Sequence, residues 1–309
     1  MSASLTLLQE RAYHYSPLGF LRGSEHVLAE SFLDDLQESE TAGGLQRIGT
    51  RSRLWLRYLK WDSDYFCCPT YRLEFSDWDA DVAAPVESLA HVLTELRSEL
   101  ERRHDSYYLF TELPSEDVVM LQAVGLAGWR LIETRLTYFR NLLERADKEH
   151  HPAVMVAKKS DIPNLRKVAM GARNEYDRFH ADPFFTKAVA DVFLAEYVEQ
   201  CVRGMTDIVL VPADDTTPPD AFICGSLSDK SIAGIRVGKL VLTAVAKSRK
   251  GWYRHLNMAL LDWMQTAGMS YCINTTQSTN RAVIHVCEQL GYQYGRASHV
   301  FATFKKESL

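Results

Sequence analysis

Along the first half of the chain, apolar positions change from period two to helical spacing and back. Strand-like runs at 54–59 and 71–75 precede a helix predicted over 85–103, where Val86, Leu89, Ala90, Val92, Leu93 and Leu96 share one face. A strand at 107–110, a helix over 116–126 stopped by Gly128, and an alternating strand over 129–139 follow. Residues 144–152 are charged and nearly free of bulky apolar side chains, which reads as a linker. Beyond it the pattern predicts a strand at 154–157, a helix opened by Ser160, Asp161 and Pro163, and a helical stretch through 185–203. Strands at 207–211, 221–227 and 235–246 come next, then a helix over 252–267, a strand at 271–275, a helix over 281–290 and a strand near 299–304. Before residue 50 only the amphipathic run His26–Leu36 is legible, and Thr41 to Gly44 break it.

The expected organisation is therefore an accessory segment at 1–50, one α/β domain at 51–143 and a second at 152–309. The two domains share a local pattern. Ser106 to Leu113 leads into a helix ending at Gly128-Trp129, and Ser270 to Gln277 leads into one ending at Gly291-Tyr292. Each unit is preceded by a helix and followed by an aromatic-tipped strand, which predicts a duplicated helix, strand, helix, strand unit. Chance recurrence of a common α/β unit is the competing account.

Composition narrows the function. With 46% hydrophobic and 24% charged residues in 309 positions, and a formal charge of −5, the chain is of ordinary globular type. It has no basic stripe to follow a phosphate backbone, so nucleic acid is not an expected partner. Six cysteines, at 67, 68, 201, 224, 272 and 287, have neither metal-site spacing nor the density of a disulfide framework, so reduced thiols and no metal are expected. The sequence lacks a signal-like N-terminus and a membrane-spanning run, which predicts a cytoplasmic protein without a membrane partner. Among oligomeric states, which the sequence leaves open, the homodimer is the commonest.

The most informative stretch is the strand ending in Ala244, Val245 and Ala246, followed at once by Lys247, Ser248, Arg249, Lys250, Gly251, Trp252, Tyr253 and Arg254 and then an apolar helix. A basic, glycine-containing turn at a helix start offers unpaired N–H groups and a positive dipole end, a site suited to a diphosphate. A solvated surface turn is the plainer account. Downstream, the polar turn from Thr275 to Asn280 can bond a peptide-like chain or simply cap the next helix.

In these residues the chain resembles the GNAT acyltransferases. Val245 to Arg254 match the strand and basic glycine loop that bind the coenzyme A pyrophosphate in that family, and Thr276, Gln277, Asn280 and Leu290-Gly291-Tyr292 match its second strand, turn and helix. The likeness runs from about 154 to 304, with Ser248 in place of the usual arginine or glutamine and Tyr253 in place of the last glycine. It implies an α/β fold with a mixed sheet: a GNAT fold in the C-terminal half and a degenerate GNAT-like domain before it. It also implies an acyl-coenzyme-A-dependent N-acyltransferase that uses acetyl-coenzyme A or another acyl-coenzyme A. Ala244, Val245, Ala246, Arg249, Lys250, Gly251, Trp252, Tyr253, Arg254 and Asn280 are then the carrier-binding residues. The family's acid is commonly a tyrosine seven residues beyond the turn asparagine, which falls here on Cys287. Burial as a small apolar residue is the other reading of Cys287, and a GNAT-like module that binds without turnover is the alternative for the whole site. His180 is the candidate base, because its ordinary pKa is near neutrality.

A narrower likeness joins 177–183 and 193–204, together with Trp61 to Phe66, to the bacterial acetyltransferases that act on TDP-fucosamine, a nucleotide-linked amino sugar. It implies an amine acceptor of that kind, used in surface polysaccharide synthesis, with Arg178, Phe179, His180, Asp182 and Gln277 near it. A helix-end ion pair for Arg178 and Asp182, and core packing for Phe179, are the competing accounts. Three carboxylates at Asp77, Asp79 and Asp81 stand where the N-terminal domain would need its phosphate loop, so that half is expected to have lost the carrier.

Overall fold

The computed structural model describes residues 6–144, 150–172, 174–213, 218–232 and 234–306. Residues 145–149, most of the expected linker, lie outside the described residues. In chain order the elements are α1 (Leu7–Tyr15), α2 (Glu25–Thr41), β1 (Gln46–Ile48), β2 (Ser52–Tyr58), α3 (Lys60–Phe66), β3 (Thr70–Trp78), α4 (Pro85–Arg103), β4 (Tyr107–Pro114), α5 (Val118–Leu126) and β5 (Arg130–Asn141). They continue with β6 (Val154–Val156), α6 (Ile162–Gly171), α7 (Arg178–Ala181), α8 (Lys187–Gln200), β7 (Ile208–Pro212), β8 (Ala221–Leu227), β9 (Val237–Val245), α9 (Trp252–Thr266), β10 (Tyr271–Gln277), α10 (Arg281–Gln289) and β11 (Gln293–Lys305). The described residues pack into two compact units, those up to 135 with those from 296 onward, and those between 136 and 295. The unit boundaries fall inside β5, within the strand predicted at 129–139, and inside β11, which starts at Gln293, earlier than the strand predicted near 299–304.

In unit 1, β3 lies between antiparallel β2 and parallel β4, and β4 pairs along its whole length with antiparallel β11. The stripe predicted on α4 is the core: Leu89, Leu93, Leu96 and Leu100 pack with Leu54, Leu73, Leu109, Met120 and Trp129. Residues 6–50 are part of this unit rather than an accessory to it. Tyr15 of α1 and Phe32 of α2 meet Phe75 of β3 edge-on, with ring centroids 4.9 and 5.3 Å away. Arg11 lies 4.1 Å over the Trp78 ring.

Unit 2 repeats the scheme. β9 lies between antiparallel β8 and parallel β10. One face carries Leu256, Leu260, Leu261 and Met264 of α9 with Cys287 and Leu290, and another buried cluster joins Leu165, Val198, Phe222 and Cys224. The correspondence extends to register and caps. Thr70↔Tyr108 through Leu73↔Thr111 in unit 1 matches Val237↔Tyr271 through Leu240↔Asn274 in unit 2. Asp117 caps α5 on Met120 N–H as Asn280 caps α10 on Val283 N–H. Each helix is followed by a left-handed glycine, Gly128 at φ 76° and Gly291 at φ 68°, a conformation that favours glycine over any side chain. Both units have the mixed α/β architecture expected from the sequence, and the predicted repeat is present in element order and register.

Candidate functional site

The parallel pairing of β9 with β10 stops at Leu240↔Asn274, yet β9 continues to Val245 and β10 to Gln277. Past that point β9 keeps β8 on one edge and has no strand on the other among the described residues. Ala246 N–H donates to Asp220 O at 2.9 Å, directly opposite it in the β8 register. Backbone groups alternate sides along a strand, so Ala244 and Ala246 turn toward β8 while Thr243 and Val245 turn their N–H groups to the open edge. Of the three residues expected there, Val245 alone is so directed; Thr243 was missed and follows from the same alternation.

The strand then feeds a short 3₁₀ turn, Lys247–Arg249, and Gly251 at φ 96° starts α9. A Cβ on Gly251 would meet nothing within 4 Å, so the glycine is required by its backbone conformation and not by space. Gly251 has no side chain with which to cap α9, so the first-turn N–H groups of Trp252 and Tyr253 are available to an anion. Lys247 and Lys250 are exposed beside them. Arg249 has a prior partner: its guanidinium is 2.8 Å from Asp220 and 5.6 Å from the centre of the Trp252 ring. Arg254 N–H bonds to Gly251 O at 3.2 Å, continuing the first turn. This cradle fits a diphosphate through main-chain donors and two lysines, with Arg249 neutralised in advance.

Behind the turn the Tyr253 side chain points into unit 2. Its hydroxyl accepts N–H bonds from Asn274 at 2.8 Å and Asn257 at 3.2 Å. Asn274 Nδ2 also lies 3.1 Å from Cys287 Sγ, and Tyr292 donates to Asn257 Oδ1 at 2.8 Å. Cys287 is fully buried. Burial pushes its thiol up to about 11, although Tyr253 and Asn274 hydrogen bonds pull it down, so it keeps its proton at neutral pH. Burial raises the Tyr253 hydroxyl far above the ordinary phenol range. The sequence signal for this cluster is Asn257, a carboxamide on the apolar face of α9 beside Leu256 and Leu260.

The other predicted residues fall elsewhere in unit 2. His180 has 1% of its side chain exposed, with Nδ1 2.8 Å from Asp177 and Nε2 3.0 Å from Asp191. Both ring nitrogens are therefore engaged by carboxylates, which suits a tie between α7 and α8 and not a base that accepts a substrate proton. Phe179 packs at 5.3 Å on Phe185 and 4.2 Å on Phe193, and Arg178 stacks 4.4 Å over Phe179. Buried Asp182 accepts from Phe184 N–H. Gln277 accepts from Asn174 at 2.8 Å, joining the end of β10 to the loop after α6. Asn280 uses its side-chain oxygen as a helix cap.

Unit 1 treats the same parting of strands differently. Beyond Leu73↔Thr111, the Arg11 guanidinium donates to Ser76 O and Oγ at 2.7 and 2.9 Å and to both oxygens of Asp117. Ser76 stands three residues past Leu73 as Thr243 stands three past Leu240, and Asp117 is the cap that answers to Asn280. A side chain of α1 thus bridges the place where unit 2 is open. The acidic turn is also neutralised, Asp77 and Asp79 by Arg53 and Asp81 by Arg51. A cleft of about 780 Å³ elsewhere in unit 1 is lined by Trp55, Phe75 and charges that pair among themselves, Arg47 with Glu40 and Arg53 with Asp77.

This is the GNAT fold. A GCN5-related N-acetyltransferase from Sphaerobacter thermophilus matches 97% of this chain over 95% of its own, with TM-score 0.58 and 9% identity. A tandem GNAT protein from the clavulanic acid biosynthesis pathway matches 84% of this chain over 80% of its own, with TM-score 0.51 and 14% identity. A region of a fungal multi-domain β-N-acetylglucosaminidase described as a GCN5-related glucosamine N-acetyltransferase matches 82% of this chain over 31% of its own, with TM-score 0.55 and 14% identity. At such identities the likeness is one of fold. No protein-family model matches the sequence, and comparison with curated proteins found no match. No group of three or more His, Cys, Asp or Glu among the described residues could hold a metal ion, and no described helix is long and apolar enough to cross a membrane.

Proposed function

We propose that the protein is an acyl-coenzyme-A-dependent N-acyltransferase, with unit 2 binding the carrier and a small-molecule amine as acceptor. The observation that carries this reading is the parting of β9 and β10 beside the glycine-started N-terminus of α9. The first turn of α9 with Lys247 and Lys250 would hold the diphosphate, and the carrier's arm would lie along the open edge of β9 with its carbonyl at the N–H of Thr243 or Val245. Cys287, held protonated by burial, would give its proton to the departing sulfur. Among acceptors we favour an amino sugar linked to a nucleotide such as TDP, for surface polysaccharide synthesis. The residue likeness at 177–204 supports that choice, as does the fungal fold neighbour described as a glucosamine N-acetyltransferase. A cytoplasmic homodimer completes the proposal.

Calorimetric titration of the full chain with acetyl-coenzyme A should give saturable binding, and addition of a TDP-linked amino sugar or glucosamine should release thiol. Binding without thiol release from any amine would favour the non-catalytic module, and no binding would remove the carrier. Gly251→Ala forces a side chain into a left-handed backbone at a cost of about 1–2 kcal/mol. We expect affinity for acetyl-coenzyme A to fall roughly tenfold, as the first-turn N–H groups lose their aim, and the thermal midpoint of unit 2 to fall by a few degrees, as that strain requires.

A further inference from the structure

The buried polar side chains behind the α9 turn form a chain with a direction. The Tyr292 hydroxyl donates to Asn257 Oδ1, so its contact with Cys272 Sγ at 3.3 Å must use the cysteine's proton. Asn257 turns its N–H to Tyr253, which receives a second N–H from Asn274. Tyr253 OH and Cys287 Sγ lie 2.8 and 3.1 Å from the same Asn274 nitrogen, so the Tyr253 hydroxyl, its oxygen engaged by two donors, has Cys287 Sγ beside it to receive its own proton. The chain therefore ends on Cys287, whose sulfur faces two donors, the Tyr253 O–H and the Asn274 N–H. A neutral thiol is a weak acceptor and gains little from two donors; a thiolate gains from both. Asn274 is also the last residue of β10 paired to β9, so the cluster sits where the strands part.

We infer that Tyr253 and Asn274 are positioning residues acting through Cys287: their O–H and N–H take up the charge left on Cys287 Sγ when its thiol gives its proton to the departing sulfur. This rests on the acyltransferase reading above. In the step, the amine nitrogen bonds the acyl carbon and loses a proton to water. The carbon–sulfur bond breaks with its electron pair going to the carrier's sulfur, and that sulfur takes the Cys287 proton. Solvent later returns a proton to Cys287. The other titratable groups facing Cys287 are Cys272 from β10, Tyr138 from β5, Tyr292 after α10 and Glu288 on α10 itself. The direction of the hydrogen bonds separates Tyr253 and Asn274 from these, since they donate to the sulfur.

The test is a double-mutant cycle on the full chain, with thiol release from acetyl-coenzyme A to glucosamine and calorimetric binding of acetyl-coenzyme A read on every variant. Tyr253→Phe should lower kcat about 10- to 100-fold, the worth of a hydrogen bond to a charged group, and leave carrier affinity unchanged. Cys287→Ala should lower kcat at least as far, and the double variant should be no slower than the slower single, because one residue acts through the other. Additive losses, a Tyr253→Phe defect confined to carrier affinity, or an unimpaired Cys287→Ala would each overturn the inference. If Tyr253→Phe fails to fold, Asn274→Leu removes the other donor and carries the same expectation. Failure of the unmodified protein to bind acetyl-coenzyme A, or binding without thiol release to any amine, would instead strike the functional reading and this inference with it; thiol release by the unmodified protein together with any of the contrary variant results would overturn the inference alone.

Discussion

Arg11→Ala is expected to destabilise unit 1 by about 3–5 kcal/mol, the cost of breaking a buried ion pair from one side. Arg11 and Asp117 have 7% and 1% of their side chains exposed, and loss of the guanidinium strands Asp117 as a buried charge and Ser76 O as a buried acceptor. Asp117 would retain the Met120 N–H and the Tyr15 hydroxyl, which keeps α5 capped. The thermal midpoint of the first unfolding transition should fall on the order of 10 °C. By contrast Arg51→Ala, which removes an ion pair with 61% and 76% of its side chains exposed, should leave that midpoint nearly unchanged. Equal effects of the two substitutions would refute the bridging role of Arg11.

Glu112 should dominate the acid response of the same unit. Burial alone would raise its carboxyl, but Arg135, Arg72, the Ser298 hydroxyl and Arg296 outweigh burial and hold it at about 2 against an ordinary 4.5. Arg135 is 2.8 Å away and Ser298 donates at 2.7 Å. A depressed pKa means that the folded chain binds the proton less readily than the unfolded one. The stabilisation, about 3 kcal/mol, is complete above pH 4.5 and drains away as pH falls toward 2. Glu112→Gln should remove most of it at pH 7, leave Arg135 with Glu133 as its partner, and flatten the stability profile between pH 5 and 2. Denaturant titrations at stepped pH would measure both; a variant that loses stability in parallel with the parent over that interval would contradict the assignment.

The elements legible in the sequence are those whose signal is local. The α4 stripe, the cap at Asn280 and the glycines at 128 and 291 all act within one or two turns, and the predicted repeat rests on the two strands and their Gly-aromatic helix ends. The glycine start of α9 was visible for the same reason. What was hidden depends on distance along the chain. Arg11 meets a partner 106 residues away, and nothing near Leu7–Tyr15 announces it. The ionic clamp on His180 was half visible, since Asp177 is three residues away, but Asp191 lies on the following helix. Tyr253 was read as part of the carrier turn, and only its helical phase with Asn257 and Leu256 reveals that the ring turns inward. Ala246 turns its N–H to Asp220, a direction set by register with β8 that no single sequence discloses.

The exchange of terminal strands has a practical consequence for dissecting the molecule. A fragment cut at the 144–152 stretch would lose residues 296–305, leaving β4, buried at seven of its eight positions, with a bare edge from Tyr107 to Pro114. Its counterpart would lose residues 136–141 and the Thr137–Thr275 contact beside β10. Each piece would then offer unsatisfied backbone to any passing strand, a recipe for precipitation in isolation and for reassembly when the two are produced together.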